Sequence, residues 1–261
     1  MKILSTDNLK RLLLTKLEDS KIKNKIIILS KEPSKEVIHY KNVIINRCHE
    51  LEIEYIDHEF TDESEEEIIN YINSFEINDG FIVLSPFGSE NLDINAMKDS
   101  IDIKDLDSFT YKSLGLSLAG DINYLPATAK AVAMFIDDKF EDISGKHIVI
   151  ANRTNVIGKP LAMYLVTRGA TVTILNSHSR NTKKIIRNSD IFISAIGKAN
   201  YYNSTYFKDN MVLIDVGTSI VDGKVFGDID YNSLEKMNVE VLTNKKGIGA
   251  ITTLCLLEGL I

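Results

Sequence analysis

Short β-branched runs alternate with amphipathic stretches along most of the chain. The strand-like runs are Lys25–Leu29, Glu52–Ile56, Phe81–Leu84, His147–Ala151, Thr171–Leu175, Ile191–Ala195, Val212–Val216 and Val239–Leu242. Several are apolar at nearly every position, the pattern of strands buried on both faces of a parallel sheet. Between them lie helical stretches. In Ser34–Leu51, Val37, Ile44, Cys48 and Leu51 recur at helical spacing, and Ser34 is placed to cap the N-terminus. The others are Glu63–Phe75, Thr128–Lys139, Gly158–Gly169, Asn181–Asn188 and Ile251–Leu260. The acidic run 62–67 opens one of these, where negative charge suits a helix N-terminus. This alternation predicts an α/β protein with mainly parallel sheets. The division is expected near 129–139, with three strand-like runs before it and five after.

Composition narrows the function classes. The chain has 261 residues, of which 44% are hydrophobic and 26% charged. That is enough to bury a core without staples, and ordinary for a globular protein. At about 150 residues per domain it fits one large domain or two modest ones. The net charge of −7 argues against a nucleic-acid partner, which calls for a basic excess, but leaves room for a local basic pocket. Cys48 and Cys255 lack zinc-site spacing and read as free thiols in a reducing cytosol. No apolar run approaches the ~20 residues of a membrane span. Asp7, Lys10 and Arg11 interrupt the N-terminus before a signal-peptide core forms. A soluble, cytoplasmic protein with no metal, membrane or nucleic-acid site is expected. His39, His49, His58 and His147 show no metal-ligand pairing, and His178 is the one histidine placed near a ligand.

The run from Ile148 to Pro160 passes from a buried strand through Asn152-Arg153-Thr154 to Gly158 and a helix. A dinucleotide pyrophosphate sits at such a turn, against helix N-terminal amides. The G-x-G-x-x-G fingerprint is absent, and only Gly158 fills its third position. The next strand ends Leu175-Asn176-Ser177-His178-Ser179-Arg180, without the carboxylate that holds a ribose 2′-hydroxyl in NAD enzymes. With Arg153, this corner suits a 2′-phosphate, and hence NADP, through charge-assisted hydrogen bonds.

These residues carry a resemblance. Asn152-Arg153-Thr154-x-x-Ile157-Gly158-x-Pro160 resembles the Gly-Arg-Ser-x-x-Val-Gly-x-Pro turn of the methylenetetrahydrofolate dehydrogenase/cyclohydrolase (FolD) family. Four further stretches match it in order. They are Lys104-Asp105-Leu106-Asp107-Ser108-Phe109; Pro126-Ala127-Thr128-Ala129-Lys130; Ser189–Lys198, with its Ala195-Ile196-Gly197-Lys198 end; and Val212–Gly217, followed by Gly223–Asp230. The resemblance implies two domains: residues 1–128 as an N-terminal α/β folate-binding domain, and 129–249 as a Rossmann-type NADP-binding domain. Residues 250–261 are expected to return to the first domain. It also implies a homodimer, with tetrahydrofolate derivatives as substrates. The implied reaction is oxidation of 5,10-methylenetetrahydrofolate to the methenyl form with NADP, then hydrolysis to 10-formyltetrahydrofolate, in one-carbon metabolism.

Carried over residue by residue, the family's Ser-x-x-Tyr-x-x-x-Lys helix becomes Ser34-Lys35-Glu36-Val37-Ile38-His39-Tyr40-Lys41. Lys41 falls on the catalytic lysine, and Val37 on the tyrosine. Tyr40 is no simple substitute, being rotated ~100° from Lys41 around the helix. Val-Gln-Leu-Pro becomes Val83-Leu84-Ser85-Pro86, so Leu84 stands for the glutamine. The nicotinamide loop becomes Lys245–Thr252, in which Gly249 and Thr252 match. Asp107 falls on the aspartate that accepts the pterin N–H groups. The resemblance thus implies catalytic roles for Lys41 and Asp107, and substrate contacts at Val37, Leu84, Pro86, Asp107, Gly249 and Thr252. It implies cofactor contacts at Asn152, Arg153, Thr154, Gly158, Ser177, Ala195, Gly197 and Thr218.

The departures have a physical meaning. Hydride transfer needs the folate bridge and the nicotinamide aligned. Hydrolysis also needs a tuned group to move protons, and Lys41 loses its tyrosine and glutamine neighbours. Dehydrogenase activity is therefore expected, with cyclohydrolase activity weakened or absent. The competing readings are a non-catalytic relative that binds NADP or folate, and another two-domain dehydrogenase resembling the shikimate dehydrogenases.

Overall fold

The computed structural model describes residues 1–88 and 92–261. The strands are β1 (Lys2–Leu4), β2 (Ile26–Lys31), β3 (Tyr55–Phe60), β4 (Gly80–Val83), β5 (Lys104–Asp105), β6 (His147–Ala151), β7 (Thr171–Leu175), β8 (Ile191–Ser194), β9 (Val212–Asp215), β10 (Ser219–Val221), β11 (Lys224–Phe226) and β12 (Glu240–Leu242). The α-helices are α1 (Asp7–Ser20), α2 (Lys35–Glu50), α3 (Glu65–Asn73), α4 (Ile94–Ser100), α5 (Tyr111–Leu118), α6 (Ala127–Lys139), α7 (Gly158–Thr167), α8 (Thr182–Arg187) and α9 (Thr252–Glu258).

Two parallel sheets result, in the orders β3-β2-β4-β5 and β1-β12-β9-β8-β6-β7, and β10 and β11 form a separate antiparallel hairpin. All residues of β2 and β4 are buried, because helices cover both faces. Their side chains divide by the two-residue period of a strand. Ile26, Ile28 and Ile82 face one core, while Ile27, Leu29, Phe81 and Val83 face another that includes Phe60, Ile68 and Met97. The first of these cores continues through α6 and α9 to Ile148, Ile150, Ile191 and Ile193 of the second sheet. Helix α9 packs against α1, α2 and α6, and Glu258 receives ion pairs from Lys16 and Lys130, each at 2.6 Å.

Several elements differ from expectation. The N-terminal segment does not stay with the first sheet. β1 pairs in parallel with β12, and Lys2 meets Glu240 at 2.7 Å. Three residues make no recognisable run, so only this long-range pairing defines the strand. Helix α1 was not expected, although Leu9, Leu13 and Leu17 repeat at a four-residue interval and are buried. Helices α4 and α5 are likewise additional. The strand expected at Glu52–Ile56 begins at Tyr55, because Glu52 turns the chain with φ 54° and the Ile53 N–H closes onto the Cys48 carbonyl. Ser34 does cap α2, accepting from the Val37 N–H, and the acidic run yields a Ser64/Glu67 capping box on α3.

Candidate active site

Lys41 sits in the buried stripe of α2, between Val37 and Ile44. An isolated surface lysine would be solvated, but only 8% of this residue is exposed. Its ammonium lies 3.0 Å from Asp57 and 4.0 Å from Glu59, both on β3. Val37 and Leu84, at the positions where the family has a tyrosine and a glutamine, are both packed into the first core. Pro86 follows on the exposed turn after β4, joined to Ser85 by a cis bond.

Asp107 lies in a loop organised by its neighbour Asp105. The Asp105 carboxylate accepts from the N–H groups of Asp107, Phe109 and Thr110 and from the Thr110 hydroxyl. Ser108 occupies the left-handed region (φ 55°) where the family motif has glycine. Asp107 itself accepts the Ala127 N–H at 2.7 Å, capping the first turn of α6. Burial pushes its carboxyl up to about 7, the Asp105 charge adds to this, and the Ala127 N–H opposes it. Tyr40 is half-buried against the first core, and desolvation first, then the nearby Asp107 carboxyl, keeps its phenol protonated.

Asp107 lines a cavity of about 230 Å³. Its walls come from the end of β4 (Val83) and the turn after it (Ser85, Phe87), from α4 (Ile94, Lys98), from Ser108 and Phe109, from Leu114, and from Asn155 and Val156 of the β6–α7 turn. Two features were not anticipated. One is that the β6–α7 turn reaches Asp107. The other is Lys98, whose ammonium stands 5.6 Å from the ring centroids of both Phe109 and Tyr111. Lys98 belongs to a helix whose seven residues are too few to show a period. Lys41 does not line this cavity.

The β6–α7 turn is tied by Asn152. Its Oδ1 accepts from the Thr154 N–H (2.9 Å), the Thr154 hydroxyl (2.8 Å) and the Gly158 N–H (3.0 Å), and its Nδ2 donates to the Ala195 carbonyl (2.7 Å). Asn152 thus holds the turn instead of offering a free amide. A Cβ on Gly158 would fall 1.9 Å from the Asn152 carbonyl oxygen, so the close approach requires glycine.

A second cavity, of about 360 Å³, opens at the carboxyl ends of β6, β7 and β8. It gathers Asn152, Arg153, Thr154, Asn176, Ser177, Ser179, Ala195, Lys198, Tyr201 and Tyr202, among others. The strand order reverses between β6 and β8, the place where open α/β sheets bind nucleotides. The donors here fit a phosphorylated dinucleotide: a guanidinium, two serine hydroxyls and no carboxylate. His178 and Arg180 are exposed on the same loop but do not line the cavity, nor do Gly197 and Thr218.

Asp228 fixes the loop after β8. It accepts from the Ser194 hydroxyl (2.6 Å) and from the N–H groups of Ile196 (2.7 Å) and Lys198 (2.8 Å). Asp215 in turn accepts from the Asp228 and Ile229 N–H groups and from the Tyr231 hydroxyl. Burial pushes Asp215 up to about 6 against these donors. Thr252 is buried with its hydroxyl donated to the Ile248 carbonyl, and Gly249 lies exposed in the preceding turn. Among the described residues no cluster of His, Cys, Asp or Glu could hold a metal ion, and no helix is long and apolar enough to cross a membrane.

Residues 126–261 match the family described as tetrahydrofolate dehydrogenase/cyclohydrolase, NAD(P)-binding domain. The bifunctional protein FolD of Clostridium botulinum (strain 657 / Type Ba4) is 32% identical over 253 residues, covering 94% of this chain and 89% of that protein. The chain belongs to the tetrahydrofolate dehydrogenase/cyclohydrolase family. The FolD structure from Campylobacter jejuni superposes with TM-score 0.90 at 24% identity, covering 100% of this chain and 97% of that one. The Trypanosoma brucei FolD structure, solved with NADP cofactor and an inhibitor, gives TM-score 0.85 at 20% identity, covering 99% and 95%. In this FolD-family chain, the second sheet and its turn therefore form an NAD(P)-binding unit.

Proposed function

We propose that the protein oxidises 5,10-methylenetetrahydrofolate to 5,10-methenyltetrahydrofolate with NADP. The observation that carries this reading is the shared cavity. Asn155 and Val156 of the dinucleotide turn line the same space as Asp107, so a pterin held by one faces a cofactor held by the other. The substrate fits this frame because an ionised Asp107 accepts two parallel N–H bonds from the pterin edge. NADP, when bound, supplies the nicotinamide that accepts the hydride.

The chain's own work is positioning. Asn152 fixes the turn, Arg153 and Ser177 hold the 2′-phosphate, Asp228 holds the loop after β8, and Asp107 orients the pterin. Hydride transfer leaves the methylene carbon as a cationic N–CH–N bridge and calls for no protein base. Subsequent hydrolysis does call for one, to take a proton from the attacking water. Lys41 is held between Asp57 and Glu59, outside the Asp107 cavity. We therefore assign the protein a dehydrogenase activity with weak or no cyclohydrolase activity. It acts as a cytoplasmic homodimer, for which the exposed cross-strand pair Ile220 and Val225 on the β10–β11 hairpin offers an apolar patch. Both half-reactions followed on one purified sample, with NADP and with NAD, test the reading. Nicotinamide reduction faster with NADP supports it, and binding without turnover overturns it in favour of a non-catalytic relative.

A further inference from the structure

We propose that Tyr201 is the stacking surface for the adenine ring of the dinucleotide. This rests on the NAD(P) reading of the cavity at the ends of β6, β7 and β8. In such a sheet the pyrophosphate lies at the β6–α7 turn, and the adenosine half lies over the loop that follows the next strand. The loop after β7 supplies Asn176, Ser177 and Ser179 to one wall, and the facing wall is the loop after β8, which ends in Tyr201 and Tyr202.

Three observations single out Tyr201. First, its ring is held upright from behind. Tyr202 meets it edge-on at 4.9 Å and 80°, and Tyr202 is itself buried against Phe192 at 4.8 Å. Second, the backbone is pinned on both sides. The Asn200 N–H donates to the Gly227 carbonyl and the Tyr202 N–H to the Asp228 carbonyl, each at 2.9 Å. Third, despite this support the residue is 48% exposed and lines the cofactor cavity. A large aromatic ring on a pinned loop, half-exposed beside a nucleotide cavity, has the properties of a base-stacking platform. The Lys198 ammonium, 5.4 Å from the ring centroid, lines the same cavity and adds positive charge where the phosphates approach.

Binding without turnover tests this directly. Adenosine 2′,5′-bisphosphate carries the adenine half of the cofactor, and nicotinamide mononucleotide the other half. Titration calorimetry on wild type, Tyr201→Phe and Tyr201→Ala measures each. The chain contains no tryptophan, so tyrosine emission gives a second readout, quenched when a base stacks. The expected result is a ~10-fold or greater loss of adenosine bisphosphate affinity in Tyr201→Ala, the size of a lost base–aromatic stack. Tyr201→Phe should stay within about 2-fold and mononucleotide binding should not change, because the phenol hydroxyl and the far half of the cofactor are not involved. Unchanged bisphosphate affinity in Tyr201→Ala overturns the proposal alone. Equal losses for both half-cofactors overturn it too, by showing collapse of the loop. A wild type that binds neither NADP nor the bisphosphate overturns the cofactor reading along with it.

Discussion

The Lys41 ammonium is paired with the Asp57 carboxylate at 3.0 Å. This pair explains how a lysine persists in the buried stripe of an amphipathic helix after its neighbours have become Val37 and Leu84. Removing one partner of a buried pair leaves the other charge uncompensated. Asp57 is a third exposed and Glu59 stands behind it, so the effect is moderated by solvent. Asp57→Ala is expected to cost about 1 kcal/mol in denaturant unfolding, while Lys41→Met should leave hydride transfer within about threefold of wild type, because the lysine moves no proton in that step.

Restoring the polar neighbours should restore hydrolysis. Val37→Tyr with Leu84→Gln returns a hydroxyl and an amide to the surroundings of Lys41. The decay of methenyltetrahydrofolate absorbance is expected to rise at least ~10-fold over wild type, a modest share of what a positioned acid or base contributes. The same change overfills a packed core and should lower stability by about 1–3 kcal/mol.

Asp107 makes substrate binding and stability depend on pH in opposite directions. Its folded carboxyl titrates near 7 against an ordinary 3.8. Protonation removes an acceptor for the pterin N–H groups, so kcat/KM for the folate should fall as pH drops below about 7. For folding the sign reverses. The native state binds the extra proton, so this residue's favourable contribution is full below the unfolded value and is lost as pH rises through the folded one. Asp107→Asn should therefore raise Tm by a few degrees at alkaline pH, with the gain fading under acid conditions, as read by calorimetry across a pH series. An unchanged pH profile of folate affinity would remove Asp107 from the substrate site.

The cofactor turn depends on one amide side chain. Asn152→Ala loses three accepted hydrogen bonds and one donated bond, and leaves the Gly158 N–H without its side-chain partner. A destabilisation of about 1–3 kcal/mol is expected, the cost of unsatisfied polar groups in a turn. NADP affinity should fall by calorimetry, while binding of a folate analogue stays near wild type.

The phosphate corner carries the choice between cofactors. Arg153→Ala should lower affinity for NADP by ~10-fold with little change for NAD, because a charge-assisted contact to the 2′-phosphate is worth roughly that much. Equal losses for both cofactors would place Arg153 at the pyrophosphate instead.

Much of this was legible in the sequence, for identifiable reasons. Ile148–Ala151 and Ile191–Ser194 are apolar throughout because both faces of a parallel strand are covered, and such runs stand out. The cofactor turn and the Asp107 loop were visible because each is a local motif. What stayed hidden depends on contacts between distant segments. Strand β1 exists only through its pairing with β12. The Asp57 partner of Lys41 lies on an edge strand whose charges look like ordinary solvated residues. Lys98 reaches the Asp107 cavity only once α4 is folded against the loop carrying Phe109. Tyr40 is rotated away from Lys41 around the helix, and only tertiary packing shows that it is half-buried against the first core.

The central claim is that Asp107 and the dinucleotide turn form one site for hydride transfer. It is tested most directly by the initial rate of nicotinamide reduction with 5,10-methylenetetrahydrofolate and NADP, compared between wild type and Asp107→Ala at neutral pH. The account predicts NADP reduction by wild type and a loss of at least ~10-fold in kcat/KM in the variant, with NADP affinity unchanged. Equal rates in the two proteins, or no reduction by a wild type that binds both ligands, would contradict it.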